Sequence, residues 1–243
     1  MKIKLFTIPN ILTLSNLTCG SIALIEILLY QNFVSAFILI VAAAAFDFAD
    51  GLSARLLGQY SNIGRELDSL ADVVSFGLVP SVAMFTLFNM AEKCIDNPTW
   101  IKWGAYIPFI IVCFSALRLA RFNIDTEHTD SFIGLPTPAS SLFCLSLALL
   151  VDQGKITLWA EGIALISIVV ALLLVCTLEL FALKFSTFAW RGNRDNKVRY
   201  SFLGLSAIAL ILLQEFAIPL IIALYILVSI VLNIATKREK MNE

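Results

Sequence analysis

The chain has 243 residues, of which 59% are hydrophobic and 14% charged, with a formal net charge of −1. A mean hydropathy of +0.89 is far from the soluble average and excludes a water-soluble globular domain. The small net charge says nothing about partners, because the placement of the charges matters here and not their sum.

Apolar segments run at about 11–30, 33–57, 66–90, 104–122, 138–152, 157–177, 200–214 and 216–235, and a stretch of about 20 apolar residues spans a bilayer as helix. The expected fold is therefore an all-α, polytopic membrane bundle of about eight transmembrane helices, forming one integral membrane domain over 1–243. The fifth segment is short and only Gln214 and Glu215 divide the last two, so seven is the competing count. The opening MKIKLFTIPN resembles a signal peptide, but the apolar run after it is too long and lacks a cleavage-like end, so a retained first helix is expected. Lys2, Lys4, Leu5 and Phe6 fit a short interfacial helix ahead of it.

Basic residues set the orientation. If the N-terminus is cytoplasmic, inner connections hold Lys2, Lys4, Arg55, Arg65, Arg118 and Arg121, then the 184–199 group and Lys237, Arg238 and Lys240. That is 14 of the 17 basic residues, with Lys93, Lys102 and Lys155 outside. Such a split follows the positive-inside rule and puts both termini in the cytoplasm, with a bacterial or archaeal inner membrane as the natural setting. The basic, aromatic 184–199 segment reads as an interfacial anchor beside anionic lipid, or more sharply as a lid or headgroup contact. Cys19, Cys94, Cys113, Cys144 and Cys176 have no metal-like spacing and read as reduced packing residues. His128, the only histidine, reads as part of a solvated loop.

Asp47, Asp50, Asp68 and Asp72 lie between apolar runs. An ionisable group at bilayer depth costs about 2.5–3.5 kcal/mol on insertion scales, so it usually faces a cavity, a partner or an ion. Four groups of one sign cannot pair among themselves, and a divalent cation is the simplest counter-charge. Asp47 and Asp50 share a helix face, about 4.5 Å apart along the axis, and Asp68 and Asp72 share another at about 6 Å. Gly58 and Gly64 in the intervening GQYSNIG suit a tight turn, so an antiparallel hairpin is expected to set Asp50 opposite Asp68 and Asp47 opposite Asp72. With no Cys or His among them, the oxygens suit Mg²⁺, Mn²⁺ or Ca²⁺. Gly51 and Ala54 let a ligand or helix come close, and Arg55 either counters a phosphate or marks the helix end. The set fits a nucleotide diphosphate held through metal, with one carboxylate able to take a proton. Two other readings compete. A buried polar network that only sets helix register would need a deep basic residue to neutralise it, and none is present. A carboxylate-lined divalent cation transporter would need polar groups continuing across the bilayer, where FILIVAAAAF offers none.

The pattern D-x2-D-G-x2-A-R-x8-G-x3-D-x3-D, filled by Asp47, Asp50, Gly51, Ala54, Arg55, Gly64, Asp68 and Asp72, resembles the signature of the CDP-alcohol phosphotransferases. The resemblance implies an integral membrane enzyme that uses divalent metal, Mg²⁺ or Mn²⁺ at a two-metal site, to displace CMP from a CDP-linked lipid by an alcohol. It implies that Asp47, Asp50 and Asp68 ligate metal. Asp72 would be the general base and a further metal contact, with Asp50, Gly51, Ala54, Arg55 and Gly64 around the CDP portion. The catalytic hairpin would occupy 33–90.

Two segments bear on the acceptor. SALRLARFN puts Arg118 and Arg121 one turn apart with Asn123 beyond, and IGLPTPASS opens a helix around Thr137. A hydroxyl-rich helix start is a ready site for a carboxylate or phosphate, and two arginines can hold the same group. Positive-inside anchoring and an ordinary proline turn explain these segments equally well. RLARFN followed by GLPTPA, together with IPNILTLSNLTCG, is similar to the integral phosphatidylserine synthases over residues 7–140. That likeness implies an acceptor region at 115–141, with Arg118, Arg121, Asn123 and Thr137 binding serine or lipid phosphate. The implied partners are CDP-diacylglycerol, L-serine, CMP as product, membrane lipid and a second copy of the chain as homodimer, with no nucleic acid. A sister enzyme using glycerol 3-phosphate or an inositol phosphate is the competing reading, because Arg191, Arg194 and Lys197 can supply charge for a dianionic acceptor.

Overall fold

A computed structural model describes residues 5–124, 132–177, 179–180, 194–213 and 216–242. Lys2, Lys4, His128 and the basic segment ahead of Arg194 lie outside the described residues. Thr7 caps α1 (Ile8–Tyr30) by accepting from the Asn10 N–H, and Pro9 occupies the first turn, where no N–H is required. Leu5 and Phe6 precede this helix and are not helical, unlike the expected interfacial turn. Asn32 caps α2 (Phe33–Leu57) through Ser35. Gly58, at φ +61°, stops α2 in the left-handed conformation that glycine tolerates, and Ser61 starts α3 (Asn62–Asp72) by accepting from the Gly64 N–H.

From α3 the chain continues without a break through a π-helical turn (Val73–Leu78) into α4 (Val79–Met90). Pro80 accounts for the turn: it has no N–H to give the helix ladder, which widens so that the Val79 N–H reaches the Val74 carbonyl. Nearby hydroxyls serve the carbonyls of that turn, Ser81 Oγ donating to Gly77 at 2.8 Å and Ser141 Oγ to Ser75 at 3.5 Å. This rod is the centre of the bundle. Of its apolar window 72% is buried inside the protein, against 22–28% for the other three long spans.

The fourth long span joins α5 (Pro98–Gly104), a 3-10 turn (Ile107–Phe109) and α6 (Ile110–Ile124). Then come α7 (Thr137–Asp152), α8 (Ala160–Val175), α9 (Arg194–Leu213) and α10 (Ala217–Asn242). All eight expected segments are helical, four of them long enough to cross a membrane and four shorter and apolar. Among the described residues the one pair of strands is the antiparallel β1 (Phe132–Ile133) and β2 (Glu179–Leu180). Beside it Gly134, at φ +75°, lies against the Leu174 carbonyl, where a Cβ would come within 2.5 Å. The core gathers around α4, with Phe76, Met84, Phe88, Ile111, Leu145 and Ile163 buried. Leu28, Ile38, Leu117, Leu172 and Ile211 point outward, as in a bundle dissolved in lipid. The protein is an all-α membrane bundle.

Candidate active site

The α2–α3 hairpin brings Asp47, Asp50 and Asp68 together: one carboxylate oxygen from each lies within 4.8 Å of the others. Asp50 is buried, Asp47 and Asp68 are half-buried, and Asp68 Oδ1 is enclosed without a hydrogen-bond partner. Three converging carboxylates and an orphaned oxygen repel one another unless a cation sits among them, and an all-oxygen set suits a hard divalent ion. The cluster thus fits the divalent metal on which the sequence pattern depends.

Asp72 lies within electrostatic reach of Asp47, and Asp50 and Asp68 converge as the hairpin pairing expects. Asp68 serves both Asp47 and Asp50, and Asp72 is outside that trio. Asp72 lies about 40° further round the helix than Asp68, which turns it toward α1. There Asn16 Nδ2 donates to Asp72 Oδ1 at 3.1 Å. One turn earlier on α1, Thr13 Oγ1 donates to Asp50 Oδ2 at 2.5 Å. Ser75 Oγ, in the π turn, donates to the Asn16 carbonyl at 3.1 Å, and Gly20 lets that turn approach so closely that a Cβ would come within 2.8 Å of Ser75 Cα. Asn10, Thr13, Asn16 and Gly20 form a buried stripe on α1 that holds the carboxylate hairpin. The sequence reading did not single these residues out. The available signal was a pair of asparagines on one face of a membrane helix, since an amide satisfies itself within a helix less readily than a hydroxyl does.

The remaining candidates divide. A Cβ at Gly51 would meet nothing within 4 Å, so the face beside Asp50 is open, and Ala54 extends it as a half-buried small residue. Arg55 is exposed in the last turn of α2. Gly64 packs inward, where a Cβ would stand 3.1 Å from Asn10 Oδ1, so its smallness serves the contact between α1 and α3. Arg118 is half-buried within electrostatic reach of Asp72 and of Tyr225 on α10, and its Nε is enclosed without a partner. Arg121 is exposed, so the two arginines do not share one environment. Asn123 Nδ2 donates to Ser69 Oγ at 2.8 Å and ties the end of α6 to α3. Thr137 is buried at the first residue of α7. Tyr225, half-buried with its ring 5.8 Å from Phe202, is a further neighbour that an apolar helix gave no reason to single out.

A helical membrane bundle that gathers acidic residues on one hairpin defines a narrow class. The family profile for CDP-alcohol phosphatidyltransferase matches residues 6–177, and the chain belongs to that family. It is similar to a CDP-diacylglycerol–serine O-phosphatidyltransferase of Helicobacter pylori, with 39% identity over 60% of this chain and 59% of the relative. A protein of the same name from Bacillus subtilis is 38% identical over 57% of this chain and 72% of its own length. Another from Methanocaldococcus jannaschii is 33% identical over 72% of this chain and 74% of its own. The match thus spans about three fifths of the Helicobacter relative's length.

Proposed function

We propose that this protein transfers the phosphatidyl group of CDP-diacylglycerol to the hydroxyl of L-serine, forming phosphatidylserine and CMP. The observation that carries the reading is the separation of the carboxylates into a trio, Asp47, Asp50 and Asp68, and a fourth member, Asp72, held by Asn16. The family and the names of the relatives support the same reaction.

In the proposed site the trio, with Asp72 as a further contact, holds two Mg²⁺ or Mn²⁺ ions. When bound, the metal neutralises the diphosphate and the CMP that departs. Asp50, Gly51, Ala54, Arg55 and Gly64 border the CDP portion, the open face at Gly51 leaving room for it. The serine hydroxyl oxygen forms a bond to the lipid-bearing phosphorus, and the bond from that phosphorus to the CMP oxygen breaks. Asp72 takes the hydroxyl proton. Arg118, half-buried beside Asp72, holds the serine carboxylate or the lipid phosphate, with Arg121, Asn123 and Thr137 around the mouth. The protein lies in the inner membrane as a homodimer, with both termini and the carboxylate end of the bundle facing the cytoplasm.

Purified protein in detergent, given CDP-diacylglycerol with Mg²⁺ or Mn²⁺, tests the assignment when L-serine, glycerol 3-phosphate and inositol 1-phosphate are offered separately. The expected lipid product is phosphatidylserine, formed with serine alone. A product from glycerol 3-phosphate or inositol 1-phosphate would keep the transfer chemistry and overturn the choice of acceptor. Metal flux without any lipid product would overturn the enzyme reading itself.

A further inference from the structure

The Asn16 side chain is fully buried, and its two polar atoms are in different situations. Nδ2 donates to Asp72 Oδ1 at 3.1 Å, whereas Oδ1 has no partner. An ionised carboxylate offers only acceptors, so turning the amide over would set oxygen against oxygen, and the contact fixes which atom is which. The backbone of Asn16 is anchored beside Asp72. Its carbonyl is tied by Ser75 Oγ at 3.1 Å, and Gly20 packs against Ser75 one turn along α1. A buried acceptor without a donor calls for a partner, and a ligand donor is one that an active-site position can supply.

The surroundings restrict what that donor is. Asp72 adjoins Asn16, Asp50 is bonded to Thr13 one turn away, and Asp68 Oδ1 is itself unpartnered. A neutral acceptor among carboxylates favours a cationic donor over a neutral or anionic group. Arg118, also within electrostatic reach of Asp72, is suited to an anion. We propose that Asn16 is a specificity residue whose Oδ1 receives the ammonium group of an amino-alcohol acceptor while its Nδ2 positions the Asp72 carboxylate. This inference rests on the proposed reaction, in that Asp72 must serve the acceptor hydroxyl. It assigns the selection of an amine-bearing acceptor to α1, and neither the sequence pattern nor the arginines account for that selection.

The test compares L-serine with 3-hydroxypropionate, which is serine without its ammonium group, using the full chain in detergent with CDP-diacylglycerol and Mg²⁺. The wild type should prefer serine in kcat/KM. Asn16→Ala should reduce that preference about 10- to 100-fold, the range for a hydrogen bond to a charged group, mainly through the KM for serine. Asn16→Asp keeps oxygen acceptors but loses the donor to Asp72, so it should lower kcat while retaining the preference. Thermal melting with and without CDP-diacylglycerol checks folding, and Asn16→Ser replaces the alanine variant if that one fails to fold. An unchanged preference in Asn16→Ala, with kcat reduced equally for both acceptors, would leave Asn16 as a positioning residue only and overturn the specificity assignment. Loss of metal binding in that variant, with the preference intact, would overturn it in favour of a metal ligand. A wild-type protein that forms no product from serine fails the proposed reaction, an outcome distinct from either of these.

Discussion

The two ends of the bundle treat polar groups in opposite ways. At the end away from the carboxylates, Glu161 at the start of α8 accepts from the Cys94 and Ile95 N–H groups at 3.2 and 3.0 Å and from Trp100 Nε1 at 3.3 Å. The Ala160 N–H completes the clasp by donating to the Glu92 carbonyl at 2.9 Å. At the carboxylate end, Asn16 Oδ1, Asp68 Oδ1 and Arg118 Nε are enclosed without partners, and so is Ser115 Oγ one turn from Arg118. One end closes its polar groups on one another and joins the α4–α5 connection to α8. The other keeps buried donors and acceptors unmatched, and an unmatched buried group costs about 1–3 kcal/mol. Stability and function thus occupy separate ends of the same helices, so substitutions should separate along the membrane normal.

The sharpest break in that comparison comes at Asp72. Under the proposed reaction, Asp72→Asn should lower kcat about 10²- to 10⁴-fold, the usual span for a general base, while CDP-diacylglycerol binding is kept. Parallel loss of binding and turnover, measured by titration calorimetry and CMP release, would show that the residue acts chiefly as a metal ligand. A smaller effect is expected at Arg118. Its replacement by Ala should raise the KM for the acceptor about tenfold or more and leave nucleotide affinity unchanged. A defect confined to CDP-lipid binding would move Arg118 to the donor side of the site. The smallest effect on turnover is expected at the opposite end. Glu161→Ala removes the acceptor of three of the four clasp bonds and should lower the melting temperature by a few degrees with kcat intact at low temperature. If kcat fell while the melting temperature held, the division between the two ends would not stand.

The four aspartates were legible because a carboxylate in a chain of this composition has few innocent explanations. Helix count was legible for the related reason that bilayer thickness fixes segment length. The α1 stripe was much harder to read. Thr18 and Ser21 are exposed and Ser15 half-buried, and all three bond back to the carbonyls of Ile11, Leu14 and Leu17 in their own helix. Thr13, whose Oγ1 also lies 3.1 Å from the Pro9 carbonyl of its own helix, and Asn16, at the same spacing, reach across to Asp50 and Asp72. Periodicity cannot separate a hydroxyl that satisfies itself from one that serves a neighbour, because both recur every three residues in a helix. The contact of Asp72 with α1 escaped the hairpin pairing for a geometric reason. Opposing two helices residue by residue ignores the rotation between Asp68 and Asp72, which brings the latter within reach of α1 as well. Gly64 shows the same limit, since its smallness answers to Asn10, a residue more than fifty positions away in sequence.

CMP release from CDP-diacylglycerol with serine measures whether the acidic trio holds metal for phosphatidyl transfer. Wild-type protein stripped with a chelator should be inactive and regain turnover on titration with Mg²⁺ or Mn²⁺. Asp47→Asn, Asp50→Asn and Asp68→Asn should each remain folded, lose turnover by at least about 10³-fold, and show no comparable recovery at saturating metal. Undiminished CMP release after chelation, or near-normal turnover in any of the three variants, would contradict the account.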